Sequence, residues 1–170
     1  MSKTKKIAIQ GVILAIMLVF QTMKGISPYI TGPIVNLVLI AVTYYFSFWS
    51  GLLFSIIAPI SSFLISPGIL NTIKPIIPCV MLGNAILCFF VNLLKQKNLA
   101  ASLFIGSTIK GIFMTVAIAL IIIPMYANSV GAPIENFELP RKMFSITQFI
   151  TSYIASVVSY IVLSRVKIKQ

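Results

Sequence analysis

The sequence predicts an all-α integral membrane protein of six transmembrane helices, with both termini in the cytoplasm. Three observations carry that expectation. Apolar residues make up 59% of the 170-residue chain and charged residues only 9%, with a mean hydropathy of +1.06, far outside the range of soluble domains. The Lys and Arg side chains stand singly or in short clusters at the ends of apolar runs, the pattern of a membrane-anchored chain whose basic residues meet anionic lipid. The charge-free runs also divide into lengths that suit a bilayer, which needs about 20 apolar residues per helix.

Taken in order, the run Ile7 to Met23 follows the basic start MSKTKK. It imitates a signal peptide, but no small-residue cleavage site follows before the next apolar run, so it reads as the first span, residues 6–23. The run Gly25 to Ile73 has room for two helices and must turn back once. FSFWSG, Phe46 to Gly51, supplies Ser and Gly as breakers and Trp49 for the interface, giving spans 33–49 and 51–66. Pro75 to Leu94 gives span 76–94. Asn98 to Ile134, charged only at Lys110, gives 99–125, and Met143 to Ser164 gives 142–164. The whole, 1–170, reads as a single six-helix membrane domain in lipid.

Six spans place both termini on one side. With that side cytoplasmic, it holds Lys3, Lys5, Lys6, Lys95, Lys97, Arg165, Lys167 and Lys169, against Lys24, Lys74, Arg141 and Lys142 outside with both acids, Glu135 and Glu138. Eight against four favours this orientation by the positive-inside rule. The longer connections, KGISPYITGP, SPGILNTIKP and the segment from Tyr126 to Pro140, then face outside.

Much chemistry is missing from this chain. The scattered basic residues argue against nucleic-acid binding. There is no histidine, and the two carboxylates lie in one outer loop, so the sequence offers no catalytic residue set, no metal site and no cofactor site. Cys79 and Cys88, nine apart on one helix, point to opposite faces and act as small apolar residues. A Ser107/Lys110 dyad is the nearest substitute for a catalytic triad. No phosphate-cradling glycine loop is present, and no Asp, Glu or His lies in a span to relay protons. Sodium binding to hydroxyls and carbonyls stays open, and a solute carried by such a protein is expected to draw its energy from a partner.

Two features remain. Ala8, Gly11 and Ala15 form a small-residue stripe on the first span, readable either as packing against the chain's own helices or as a docking face for another subunit. Lys110 is the charge that hydropathy does not explain. It lies about 16 Å from the cytoplasmic start of its span, beyond the roughly 6 Å reach of its side chain, and no span contains an acid to pair with it. What remains is an amine held by carbonyls and hydroxyls, or one that receives a ligand's anion.

The motifs ITGPIVNLVLI (Ile30 to Ile40), PIIPCVMLGNAIL (Pro75 to Leu87) and GSTIKGIFM (Gly106 to Met114) resemble signatures of an uncharacterised branch of the substrate-binding S components of energy-coupling factor (ECF) vitamin transporters. The resemblance covers nearly the whole chain. It implies a bacterial cell membrane protein that captures a vitamin or related micronutrient from outside, and that docks on a membrane T subunit carrying two ABC-type ATPases. Ala8, Gly11 and Ala15 would be the T-subunit contact, with Gly11 where the family has an alanine. Ligand sites in the family lie among the outer halves of spans four to six. At that depth Asn84, Lys110 and Gln148, roughly 13, 22 and 9 Å from the outer surface, could converge, with Thr151 and Ser152 nearby. Asn71, Lys74, Tyr126, Asn128 and Arg141 are lid candidates, whereas Asn36 is read as holding the outer end of span two and Lys24 as a snorkelling interface charge. The ligand expected is anionic or carbonyl-rich. A stand-alone permease or channel, or an assembly subunit in which Lys110 only fixes helix packing, is the alternative.

Overall fold

The computed structural model describes residues 2–22, 28–65 and 73–165. Among these the chain is all-helical: α1 (Lys3–Thr22), α2 (Pro28–Tyr45), α3 (Phe48–Ile65), α4 (Ile76–Leu94), α5 (Leu99–Met114), a π-helical stretch (Thr115–Ile122), α6 (Ile123–Ser129), a 3-10 turn (Ile134–Phe137), α7 (Glu138–Met143) and α8 (Ile146–Arg165). Among the described residues, five helical stretches are long and apolar enough to cross a membrane: Lys3–Thr22, Phe48–Ile65, Ile76–Leu94, Leu99–Ser129 and Ile134–Arg165. Tyr29–Tyr45 is apolar but shorter.

Side-chain placement is that of a multi-pass membrane protein. Trp49, Leu64 and Ile7 are at least 70% exposed, while Gln21, Asn36, Thr43, Asn84, Ser107 and Lys110 are buried. Polar groups turn inward and large apolar ones outward because lipid solvates the latter and cannot satisfy the former.

The helix boundaries follow local chemistry. The α2–α3 turn falls at Phe46 and Ser47, where the Ser47 hydroxyl accepts from the Ser50 amide at 3.1 Å, and Trp49 opens α3 facing outward. Asn98 caps α5, its side chain accepting from the Ala101 amide at 3.0 Å. Lys95 reaches back to the end of α2, its Nζ donating to the Thr43 carbonyl at 3.2 Å and the Tyr44 carbonyl at 3.4 Å, so a cation closes orphan carbonyls at a helix C-terminus. Burial against α2 pushes the Lys95 ammonium below the usual lysine pKa.

Two expectations are corrected. Residues PYITGP belong to α2 rather than to an outer loop: Pro28 opens the helix at its first position, where its missing N–H costs nothing, and Pro33 is carried inside the helix. The segment from Tyr126 to Pro140 likewise is largely helical, in α6, the 3-10 turn and α7.

The centre of the bundle is built on close approach. A Cβ on Gly51 would fall on the Thr43 hydroxyl and 3.1 Å from Cys88 Sγ, one on Gly106 would lie 3.3 Å from Leu87, and one on Gly111 would lie 2.5 Å from the Phe149 ring. These glycines let α3, α4, α5 and α8 pack at distances larger residues would forbid. Between α5 and α8 runs a hydroxyl seam, with Ser107 Oγ 2.8 Å from Ser156 Oγ and donating to the Ser152 carbonyl at 3.3 Å. By contrast α1 lies at the edge, packed on α2 and α3, with only Met17 and Gln21 buried.

Candidate functional site

At one end of the bundle the C-terminal turns of α1 and α3, the N-terminal halves of α2, α4 and α8, and the middle of the α5 stretch surround a cavity of about 110 Å³. That is room for several waters or a small solute. Polar lining comes from Gln21, Thr31, Asn36, Ser62, Asn84, Lys110, Thr147, Gln148 and Thr151, and apolar lining from Val35, Ala58, Pro59, Val80, Met143 and Phe144.

Lys110 forms its floor. The side chain is 2% exposed, and Nζ donates to Asn36 Oδ1 at 2.5 Å and to Asn84 Oδ1 at 2.7 Å, each Asn being 3% exposed. The lysine therefore ties α5 to α2 and α4 through two amide oxygens. An ammonium has three donors, and these amides account for two. Both acids lie elsewhere: Glu138 pairs with Lys142 at 3.0 Å on an exposed turn, and Glu135 is exposed. A formal cation thus sits at the floor without a carboxylate among the cavity-lining residues.

The walls are fixed by their own bonds. Gln21 Nε2 donates to the Ala58 carbonyl at 2.9 Å, and Ser61 Oγ donates to Gln21 Oε1 at 2.5 Å, which pins α1 to α3. Gln148 Nε2 donates to the Met143 carbonyl at 3.2 Å, drawing the turn before α8 over the cavity. Gly32 brings the α2 backbone against Thr151, whose Cγ2 would be 2.8 Å from a Cβ there.

Of the residues singled out in the sequence, Asn84, Lys110, Gln148 and Thr151 all line the cavity. Ser152 does not; its hydroxyl turns back on the Gln148 carbonyl of its own helix. The described lid candidates do not line the cavity. Tyr126 packs edge-on against Phe137, with ring centroids 5.8 Å apart. Arg141 directs Nε to the Ala119 carbonyl in the π-helical stretch at 3.3 Å, and Lys74 and Asn128 are exposed. From this part of the chain, Met143 and Phe144 border the cavity. Asn71 and Lys24 lie outside the described residues.

Asn36 accepts from Lys110 Nζ and so holds α2, at mid-helix rather than at its outer end, and it also lines the cavity. Gln21, Thr31, Ser62 and Thr147 join it as lining residues that sequence reasoning missed. Each is a small or neutral polar residue within or at the edge of an apolar run, a weaker signal than a lone charge. The Ser107/Lys110 dyad does not form, because Ser107 faces α8 while Lys110 faces α2 and α4.

Among the described residues no group of His, Cys, Asp and Glu side chains could hold a metal ion. Cys79 and Cys88 are both free thiols. The stripe Ala8, Gly11 and Ala15 is exposed along α1, and a Cβ on Gly11 would meet nothing within 4 Å, so these residues do not serve the chain's own packing. Comparison with protein-family models, curated proteins and solved structures finds no match.

Proposed function

We propose that the protein is the substrate-capture subunit of an ECF-type importer, an S component that takes a vitamin-like micronutrient from the outer side of a bacterial cell membrane. In this reading it crosses the membrane six times, with α2 as the sixth span and both termini cytoplasmic. It delivers solute when docked on a T subunit with two ATPases. The observation that carries the reading is the cavity: a pocket with a buried cation, set in an apolar bundle at the end away from Lys3, Lys95 and Arg165. A pocket of mixed apolar and convergent polar lining is the form that small-molecule sites take. The exposed stripe on α1 adds a free surface suited to close helix contact.

A second reading, a structural role for Lys110, is favoured by its two amide acceptors on separate helices. Co-purification from the native membrane separates the two functions. An importer subunit brings down a membrane partner and two ATPases, and its uptake stops without ATP. Solute transport by the purified chain alone in vesicles would refute the proposal.

A further inference from the structure

We propose that the cavity floor is a receptor for a single carboxylate and that the captured solute is a small monocarboxylic acid, held by Lys110, Asn36 and Asn84. The inference rests on reading the cavity as the capture site.

It begins with the forced orientation of two amides. An ammonium donates and cannot accept, so Asn36 and Asn84 must both turn Oδ1 toward Nζ. Each Nδ2 shares a carbon with its Oδ1, so the two NH2 groups flank the ammonium. Among the described residues neither Nδ2 has a hydrogen-bond partner, yet no buried side-chain nitrogen or oxygen is left sealed without one. Both amides line the cavity, so their NH2 groups meet its open space. The floor thus presents the remaining Nζ donor and two amide donors, with the amide oxygens already taken.

Charge and shape then narrow the class. The lining holds one formal cation and no acid, so a monoanion neutralises it. A phosphate dianion would leave surplus negative charge in an apolar bundle, at the desolvation penalty of an unpaired ion. A carboxylate has two oxygens with about four acceptor positions, which suits three converging donor groups. The rest of the lining includes the polar Thr147, Gln148 and Thr151 and the apolar Val35, Val80 and Phe144. The rest of the solute is uncharged, with an apolar edge and a hydroxyl or carbonyl group.

The test uses the purified full chain in detergent. Thermal unfolding is followed with a thiol-reactive dye that reports release of buried Cys88. Acetate and acetamide are titrated at constant ionic strength. Acetate should raise the unfolding temperature to a plateau and acetamide should not. Asn84→Asp keeps an oxygen acceptor for Nζ, supplies a counter-ion and replaces the NH2 donors. It should fold with an equal or higher unfolding temperature and bind acetate at least about tenfold more weakly. Asn36→Asp should do the same.

An equal response to acetamide, no response to acetate in the wild type, or an undiminished response in both Asp variants overturns the carboxylate site. So does a neutral or cationic solute retained through purification and identified by mass. ATP-dependent uptake of such a solute would sink this inference and leave the importer reading intact. An acetate response as described, in a chain that recruits no ATPase, would sink the importer reading and leave the carboxylate site.

Discussion

Replacing Lys110 should cost less stability than replacing either of its partners. Lys110→Met removes the donor for two buried acceptors, 2.5 and 2.7 Å away. An orphaned acceptor costs about 1–3 kcal/mol in soluble cores, whereas hydrogen bonds between membrane helices average about 0.6 kcal/mol. Both amides line a cavity with room for water, so the lower figure applies and the loss totals about 1 kcal/mol. The same substitution removes a side chain that is 2% exposed and formally charged, relieving a desolvation cost of several kcal/mol.

Asn84→Leu does the opposite. It leaves the ammonium buried with one acceptor fewer, and a hydrogen bond to a charged group is worth about 1.5–3 kcal/mol. With about 2–4 °C per kcal/mol for a chain of this size, Asn84→Leu and Asn36→Leu should lower the unfolding temperature by at least about 3 °C, and Lys110→Met should lower it by less. The double variant Lys110→Met, Asn84→Leu should recover part of the single-variant loss, since the stranded charge is gone. Thermal unfolding of the purified proteins decides it. A fall for Lys110→Met as large as for Asn84→Leu would refute the reasoning.

Three further outcomes follow from the packing and the surface. Gly51→Ala should destabilise by about 1–3 kcal/mol, because its Cβ has no room between Thr43 and Cys88; an unchanged unfolding temperature would show that α3 shifts freely. Gly11→Leu meets nothing and replaces a poor helix former, so its unfolding temperature should hold or rise, while recovery of the proposed T subunit on co-purification should fall at least about tenfold. Undiminished recovery would place the docking face elsewhere. Lys95 has a lowered pKa when folded, so the folded chain binds fewer protons than the unfolded one between that value and the ordinary lysine pKa. Wild-type stability should therefore rise relative to Lys95→Met as pH climbs through that alkaline window, and parallel pH profiles would contradict it.

The helices were legible because apolar run length and isolated breakers report directly on span and turn, as at Phe46 to Gly51 and at Asn98. Lys110 was legible because a charge in an apolar run is costly wherever it points. The role of Asn36 was not. Hydropathy says that an amide lies on α2 but not which way it faces, and its direction is set by the approach of α5 to α2 and α4. The start of α2 was misjudged because TGP reads as a breaker, whereas the helix already begins at Pro28 and carries Pro33 inside it. The π-helical winding of Thr115–Ile122 left no trace in a segment that is almost uniformly apolar. The contacts of Tyr126 with Phe137 and of Arg141 with the Ala119 carbonyl were not legible either, because they depend on how the segment after the π-helical stretch folds back.

The tie at Lys110 also bears on how the chain is made. An isolated helix with a central lysine enters a bilayer at a cost of about 2.5–3.5 kcal/mol. Asn36 and Asn84 both precede Lys110 in the chain, so on a ribosome the two acceptors emerge before the cation that needs them. α8 emerges last and contributes Thr147, Gln148 and Thr151 to the wall without touching the tie. Chain order thus makes both acceptors available to the lysine before α8, which supplies the last of the cavity wall, has been synthesised.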